Sequence, residues 1–178
     1  GDYKYWIAYN KAQGAAQEIH LLYKAIKNGK EILDVQAKKT FKIGGKDVSR
    51  EYDAIIKDLD GKEILYESKA WSDNLDTIRS YINTSLNGSV LPGEKRAGQL
   101  FKDIVYMAQQ DDFGSIRWAL DARNADNVAN IQSMILDGVK KRKAKFKRVL
   151  NITTVEGWDE FFGNLEQALE GFIEIVPV

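Results

Sequence analysis

The fold of this chain is decided by residues 50–71, which read REYDAIIKDLDGKEILYESKAW. Two apolar runs, Tyr52–Asp58 and Glu63–Trp71, flank the turn Leu59-Asp60-Gly61. An Asp-Gly turn between such runs is typical of a β-hairpin. A three-residue turn pairs Asp58 with Lys62 and so fixes the register of both strands.

This register brings charged side chains together on the hairpin. Side chains alternate between the two faces of a strand, so Glu67 and Lys69 share one face and Ser68 points to the other. Asp53 falls opposite Glu67, where the Cβ atoms of paired residues lie roughly 4.5–5.5 Å apart. Two carboxylates so close repel each other unless a cation lies between them, and a hard divalent ion is the simplest such cation.

The chemistry that suits these residues is hydrolysis of a phosphodiester. Asp53, Glu67 and the backbone carbonyl of Ser68 are the predicted metal ligands, and the cofactor is expected to be Mg²⁺, Mn²⁺ or Zn²⁺. Lys69 is predicted to hold the attacking water or to neutralise charge on the phosphoryl group. Glu18, on a preceding helix, is predicted as a fourth catalytic residue.

An acidic residue that opens one strand, followed by Glu-x-Lys on the next, resembles the signature of the PD-(D/E)XK nucleases, the restriction-endonuclease-like superfamily. Asp53 matches the first acid, Glu67-Ser68-Lys69 matches the (D/E)XK element, and Glu18 matches the extra acid that this family often takes from its first helix. The resemblance extends roughly from Lys11 to Trp118. It departs at Tyr52, where the family often has proline.

The resemblance implies an α/β fold, with a central mixed β-sheet that has the hairpin 52–71 at its heart and is flanked by helices. Residues 1–178 are expected to form one domain, because domains usually hold about 100–200 residues. The apolar positions Ala15, Ile19, Leu22 and Ile26 recur at helical spacing. The predicted elements are helices at 11–28, 73–86, 94–110, 124–148 and 158–172, and strands at 31–43, 52–58, 63–71, 115–122 and 149–153.

The composition excludes several other kinds of protein. The chain has no cysteine, which excludes disulfides, thiolate metal sites and thiol nucleophiles. It has one histidine, which excludes mechanisms that need two imidazoles. It also lacks a run of roughly 18 apolar residues, so no transmembrane helix and no membrane partner are expected.

The formal net charge is +0, yet the basic residues are unevenly distributed. Seven of the nine residues at 140–148, called the basic segment below, are lysine or arginine. Such a segment suits a polyanion, and it also suits a solvated helix face. The helix that follows the hairpin adds further polar side chains at helical spacing. The predicted substrate-binding residues are Lys95, Gln99, Lys102, Lys141, Arg142 and Lys145.

The small size, the absence of cysteine and a beginning without methionine are similar to the C-terminal toxin domains of contact-dependent growth inhibition and other polymorphic bacterial toxins. Many of these domains are PD-(D/E)XK nucleases that cut DNA or tRNA, and each is neutralised by a cognate immunity protein. The resemblance implies secretion as part of a larger effector and action in the cytoplasm of a target cell. A cytoplasmic housekeeping repair or restriction nuclease fits the core motif equally well.

Two other classes of function remain open at the level of sequence. One is a metal-independent ribonuclease, in which His20 is the base. The other is a non-catalytic nucleic-acid or protein-binding module that uses the basic segment. Trp71 and Trp118 are candidates for stacking on bases, although aromatic residues in strands more often pack in the core.

Overall fold

A computed structural model describes residues 2–88 and 98–176 of the chain. The elements follow the order α1 (Asp2–Lys27), β1 (Glu31–Ile43), β2 (Lys46–Lys57), β3 (Glu63–Lys69), α2 (Leu75–Leu86), α3 (Gln99–Gln109), β4 (Ile116–Asp121), a 3-10 helix (Ala122–Asn127), α4 (Val128–Lys141), α5 (Lys143–Val149), α6 (Val155–Phe172) and β5 (Ile173–Val176).

The strands form one mixed sheet in the order β1-β2-β3-β4-β5. The first three strands are antiparallel, whereas β4 and β5 run parallel to β3. Helix α1 covers one face through Leu21 and Ala25, and the helices from α2 to α6 bury the larger core on the other face. The prediction of an α/β fold with a mixed sheet flanked by helices is confirmed. Among the described residues, no helix has both the length and the apolar content needed to cross a bilayer.

The hairpin between β2 and β3 has the predicted register from the turn as far as Ala54 and Tyr66, so the predicted Asp53–Glu67 pair lies beyond the paired residues. Lys57 pairs with Glu63, and Ala54 pairs with Tyr66. The turn is closed by the backbone N–H of Asp58, which donates to the carbonyl of Lys62 at 2.8 Å. Gly61 has φ +88°, a conformation that glycine adopts without steric cost. The Asp-Gly turn therefore sets the pairing, as the sequence indicates.

Helix α1 is longer than predicted and buries a different face. The apolar positions that indicate the helix include Ile19 and Ile26, and both are 64% exposed. The face that packs on the sheet carries Gln17, Leu21 and Ala25 instead. Helical spacing is a local property, but the choice between two faces of one helix depends on the sheet that the helix covers.

Two further predictions of secondary structure are wrong, and one strand of the structure has no predicted counterpart. The predicted helix at 124–148 is divided into a 3-10 helix, α4 and α5, and the last of these brings Phe146 into contact with Phe101 and Phe161 at ring distances of 5.0 and 5.9 Å. The predicted strand at 149–153 is the end of α5 followed by a loop. Strand β5 is missing from the prediction, because four residues are too few for a periodic pattern.

Candidate active site

The candidate active site lies where β2 separates from β3. Pairing between these strands ends at Ala54 and Tyr66, whereas β2 continues to pair with β1. At the same point Gln36 of β1, which has φ +51°, is skipped in the pairing. Tyr52 packs in the core beneath α3, although Ala54, two residues later, packs beneath α1. The strand therefore turns at Asp53, and the simple alternation of faces fails there.

The side chain of Asp53 accepts a hydrogen bond from a backbone N–H of β3 that has no partner on β2, because the strands separate here. Its Oδ2 accepts a hydrogen bond from the backbone N–H of Ser68 at 2.7 Å. In the hairpin register, even-numbered residues of β3 direct both N–H and C=O toward β2. The carbonyl of Ser68 thus points into the same gap as the Asp53 carboxylate, which is the arrangement that the predicted metal ligands require.

The carboxyl group of Asp53 is close to two other acids. The pKa of Asp53 is raised to about 7, first by burial and then by the charges of Glu67 and Glu18, against the opposing effect of the hydrogen bond from Ser68. Glu18 reaches this point from α1, and with Asp53 it lines a cavity of about 240 Å³ between α1 and the β1–β2 hairpin. Asp53 thus lies beside Glu18 on the α1 side of the sheet and within electrostatic reach of Glu67, whose carboxylate lies on the other face with Arg50 and Lys69.

Glu67 is buried, and each of its carboxylate oxygens contacts a cation. Oε1 lies 2.9 Å from Nζ of Lys69, and Oε2 lies 3.1 Å from Nη2 of Arg50. Because two ion pairs offset its burial, this carboxylate is held in place inside the protein. Glu67 and Lys69 also share one face of β3, as the alternation of side chains predicts.

The ammonium group of Lys69 is held by more than its carboxylate partner. Nζ donates to Oε1 of Gln99 at 2.6 Å and lies 5.3 Å from the ring centroid of Trp118. Gln99 is the first residue of α3, so this helix begins at the site. Gln99 is a predicted substrate-binding residue, and in the structure its side chain is hydrogen-bonded to Lys69.

Behind Glu67 lies a buried charge network that is absent from the predicted site residues. Asp103 of α3 is fully buried and accepts from Arg50, from the hydroxyl of Tyr52 at 2.7 Å and from Nε1 of Trp118 at 2.7 Å. Burial alone would lower the pKa of Arg50, but Asp103 and Glu67 raise it overall. A signal was present in the sequence, since Asp103 interrupts an otherwise apolar face of α3 and Arg50 lies two residues before Tyr52 on the inward side of β2.

The groups at the gap that could hold a small divalent cation include one backbone oxygen. Among the described residues, no three His, Cys, Asp or Glu side chains are arranged as a ligand set by themselves. The oxygens at hand are the carboxylates of Asp53 and Glu67 and the carbonyl of Ser68, with Glu18 beside them. Hard cations bind carboxylate and carbonyl oxygens, and after burial the charges of Glu67 and Glu18 also contribute to the raised pKa of Asp53.

The other predicted substrate-binding residues have mixed placements. Lys95 lies outside the described residues. Lys102 of α3 donates to the backbone carbonyl of Ser49 at 3.1 Å and so ties α3 to β2. Lys141 is exposed at the end of α4.

Two members of the basic segment stabilise the end of a neighbouring helix. Nη2 of Arg142 donates to the carbonyl of Asn83 at 3.3 Å, and Nζ of Lys145 donates to the carbonyl of Leu86 at 2.9 Å. These carbonyls belong to the last turn of α2, which carries no basic residue of its own. Cations near unpaired carbonyls at a helix C-terminus are stabilising. The basic segment thus has a structural role in addition to the predicted one.

We expect Arg142→Gln to lower the free energy of unfolding by about 1 kcal/mol, because hydrogen bonds from its guanidinium to the end of α2 are lost. Lys141→Gln is the control, since Lys141 is exposed one residue away. Urea denaturation of both variants measures the effect. Equal stability of the two variants would show that the contacts of Arg142 contribute nothing.

The two tryptophan candidates are buried in the core, and His20 lies on another side of α1 from Glu18. Trp71 and Trp118 are both buried and pack edge to face at 5.7 Å, so neither is placed to stack on a base. His20 follows Glu18 by two residues, which puts it about 200° around α1 from that acid. It is half-buried there.

A comparison of the chain with protein-family profiles, with curated proteins and with solved structures found no match.

Proposed function

We propose that the protein is a metal-dependent nuclease that hydrolyses phosphodiester bonds in DNA or tRNA, built on a restriction-endonuclease-like fold. The observation that carries the proposal is the convergence of Asp53, the Ser68 backbone and the Glu67–Lys69 pair at the point where β2 and β3 separate. A half-buried acid with a raised pKa, here Asp53, is a common mark of a catalytic site when it lies near a lysine.

Each of these residues has a distinct task in the proposed reaction. Asp53, Glu67 and the carbonyl of Ser68 would hold a divalent ion, which would supply Lewis-acid polarisation of the phosphoryl group and activation of a water. Asp53 must be ionised to take part, and its Ser68 contact keeps the carboxylate in the gap. Lys69 donates hydrogen bonds to the attacking water or to the phosphoryl oxygens, where negative charge grows in the transition state. Gln99 keeps that ammonium group in reach.

The direct experiment is incubation of plasmid DNA and of total tRNA with the protein in Mg²⁺, Mn²⁺ or Zn²⁺, each with and without EDTA. Cleavage of either substrate that stops on chelation supports the proposal. Cleavage that survives EDTA favours a metal-independent ribonuclease with His20 as the base. Binding without cleavage in every metal favours a non-catalytic binding module.

We expect millimolar Mg²⁺ or Mn²⁺ to raise the melting temperature of the protein, because an ion that binds only the folded state stabilises it by about 2.7 kcal/mol at 100 times its Kd. The rise is larger at pH 8 than at pH 6, since metal binding must displace the proton that Asp53 retains up to a pKa of about 7. Thermal unfolding in metal and in EDTA measures it. An equal rise in Asp53→Asn would show that the ion binds elsewhere.

We further propose, on the resemblance alone, that the nuclease is a toxin domain delivered by a larger effector into the cytoplasm of a target cell and bound by a cognate immunity protein. The neutral net charge of the chain does not distinguish this setting from that of a cytoplasmic housekeeping nuclease. Co-expression of the chain with its neighbouring reading frame tests the difference. Protection of the cells supports a toxin, and toxicity that no neighbouring frame relieves favours the housekeeping enzyme.

A further inference from the structure

The two oxygens of Glu67 are held by cations of very different freedom. Lys69, which contacts Oε1, has a side chain that is 24% exposed and sits on a flexible stem. Arg50, which contacts Oε2, has a side chain that is only 2% exposed. Oε1 of Glu67 therefore faces the more accessible side of the site, whereas Oε2 faces an arginine that is enclosed by protein.

The position of Arg50 is fixed from several directions. Nε and Nη2 donate to the two oxygens of Asp103 at 3.0 and 3.1 Å, and Nη1 donates to the backbone carbonyl of Glu51. The guanidinium also lies 4.5 Å from the ring centroid of Tyr52. A planar group held by a two-oxygen partner has little rotational freedom. Nη2 therefore stays on Oε2 of Glu67.

On the basis of the metal-dependent function proposed above, we propose that Arg50 is a positioning residue: it keeps Oε2 of Glu67 occupied, so that Glu67 offers a divalent ion only Oε1 and the site selects Mg²⁺ and Mn²⁺ over Ca²⁺. The physical basis is the coordination that these ions prefer. Ca²⁺ takes 6–8 oxygens and often binds a carboxylate through both, whereas Mg²⁺ takes six ligands in an octahedron and retains water.

The positive charge of Arg50 also favours Mg²⁺ and Mn²⁺ over Ca²⁺. A buried guanidinium beside the ligand carboxylate repels any divalent ion, and the site must offset this repulsion with short contacts to Asp53 and the Ser68 carbonyl. Short, near-ideal contacts are available to the smaller ions and not to Ca²⁺. Arg50 contacts neither substrate nor ion, since it acts through Glu67.

The test measures metal binding without nucleic acid, at pH 8. Binding of Mn²⁺ is followed by the loss of its free EPR signal, and Ca²⁺ is then titrated as a competitor. For the wild type we expect Ca²⁺ to bind at least about tenfold more weakly than Mn²⁺. In Arg50→Lys, one ammonium cannot hold both Asp103 and Glu67, so Oε2 of Glu67 is released. The ratio of the Ca²⁺ and Mn²⁺ dissociation constants then falls to about threefold or less.

Two further variants keep the result unambiguous. Arg117→Lys is the matched control, because Arg117 is an ion-paired arginine on the opposite face of the sheet, near Asp58 and Glu174. Arg50→Met combined with Asp103→Asn removes both buried charges together and keeps an acceptor for Trp118, so it replaces Arg50→Lys if that variant does not fold. The same fall in discrimination is expected of it, and none of Arg117→Lys.

The outcomes separate the inference from the proposed function. If the wild type binds no Mn²⁺, the metal-dependent function itself is wrong. If the wild type binds Mn²⁺ and Ca²⁺ equally, or if the folded Arg50 variants keep the wild-type ratio, Arg50 only stabilises the fold and the inference is overturned. A fall in the ratio that also occurs in Arg117→Lys would overturn it too.

Discussion

Replacing Lys69 by methionine is expected to lower the rate of cleavage at saturating substrate by at least about 100-fold, because removal of one donor to the charge that grows in a transition state typically costs 10²–10³ in kcat. Substrate affinity should change little, since one charge among many contributes little to phosphate binding. The fold should persist, because Glu67 keeps its ion pair with Arg50. Single-turnover cleavage and anisotropy of a labelled oligonucleotide measure the two quantities.

The chain provides a matched control for this variant. Asp60-Gly61-Lys62 repeats the acid-x-Lys pattern in the hairpin turn, where Nζ of Lys62 contacts Asp112 at 2.7 Å. Lys62→Met removes the same charge from the same hairpin and should leave the rate of cleavage unchanged. If Lys69→Met cleaved at the wild-type rate, the assignment of the catalytic hairpin would be wrong and a binding module would become the preferred function.

Replacing Asp53 by asparagine is expected to remove activity and to stabilise the fold. Changes to partners that only orient a metal ligand cost about 10–100-fold, so loss of a ligand should cost at least about 100-fold in cleavage. The amide oxygen of asparagine still accepts the hydrogen bond from Ser68, while the repulsion from Glu67 and Glu18 disappears. A less active protein with a higher melting temperature is the expected result.

The pH dependence of this stabilisation follows from the sign of the pKa shift. Asp53 has a folded-state pKa of about 7, above its ordinary value of 3.8, so the folded state binds this proton more tightly than the unfolded state. The wild type therefore loses stability as the pH rises from about 3.8 to 7, and the loss is complete above 7. In EDTA, the melting temperature of Asp53→Asn should exceed that of the wild type by more at pH 8 than at pH 5.

Asp47→Asn is the control for both properties, because Asp47 lies on the same strand with an exposed side chain paired to Lys42. It should alter neither cleavage nor the pH profile of stability. A wild-type rate in Asp53→Asn, or an equal gain in melting temperature at both pH values, would show that Asp53 is not the crowded carboxylate of the site.

Local signals were sufficient for the hairpin and its motif. The Asp-Gly turn sets the register, and the alternation along β3 puts Glu67 and Lys69 on one face with Ser68 on the other. Both depend on residues close together in the chain, which is why sequence patterns predict them. The same holds for the helical spacing of α1, although not for which side of that helix is buried.

The tertiary structure alone decided how the site is completed. Asp53 leaves the alternation because β2 bends away from β3 there, and this bend depends on the pairing with β1 and on the core beneath α3. Arg50 and Asp103 are 53 residues apart in the chain, and each looks like a solvated charge until packing removes both from water. The sequence marks each of them only as a charge on an apolar face and does not show that they pair, because their contact depends on how α3 packs on β2.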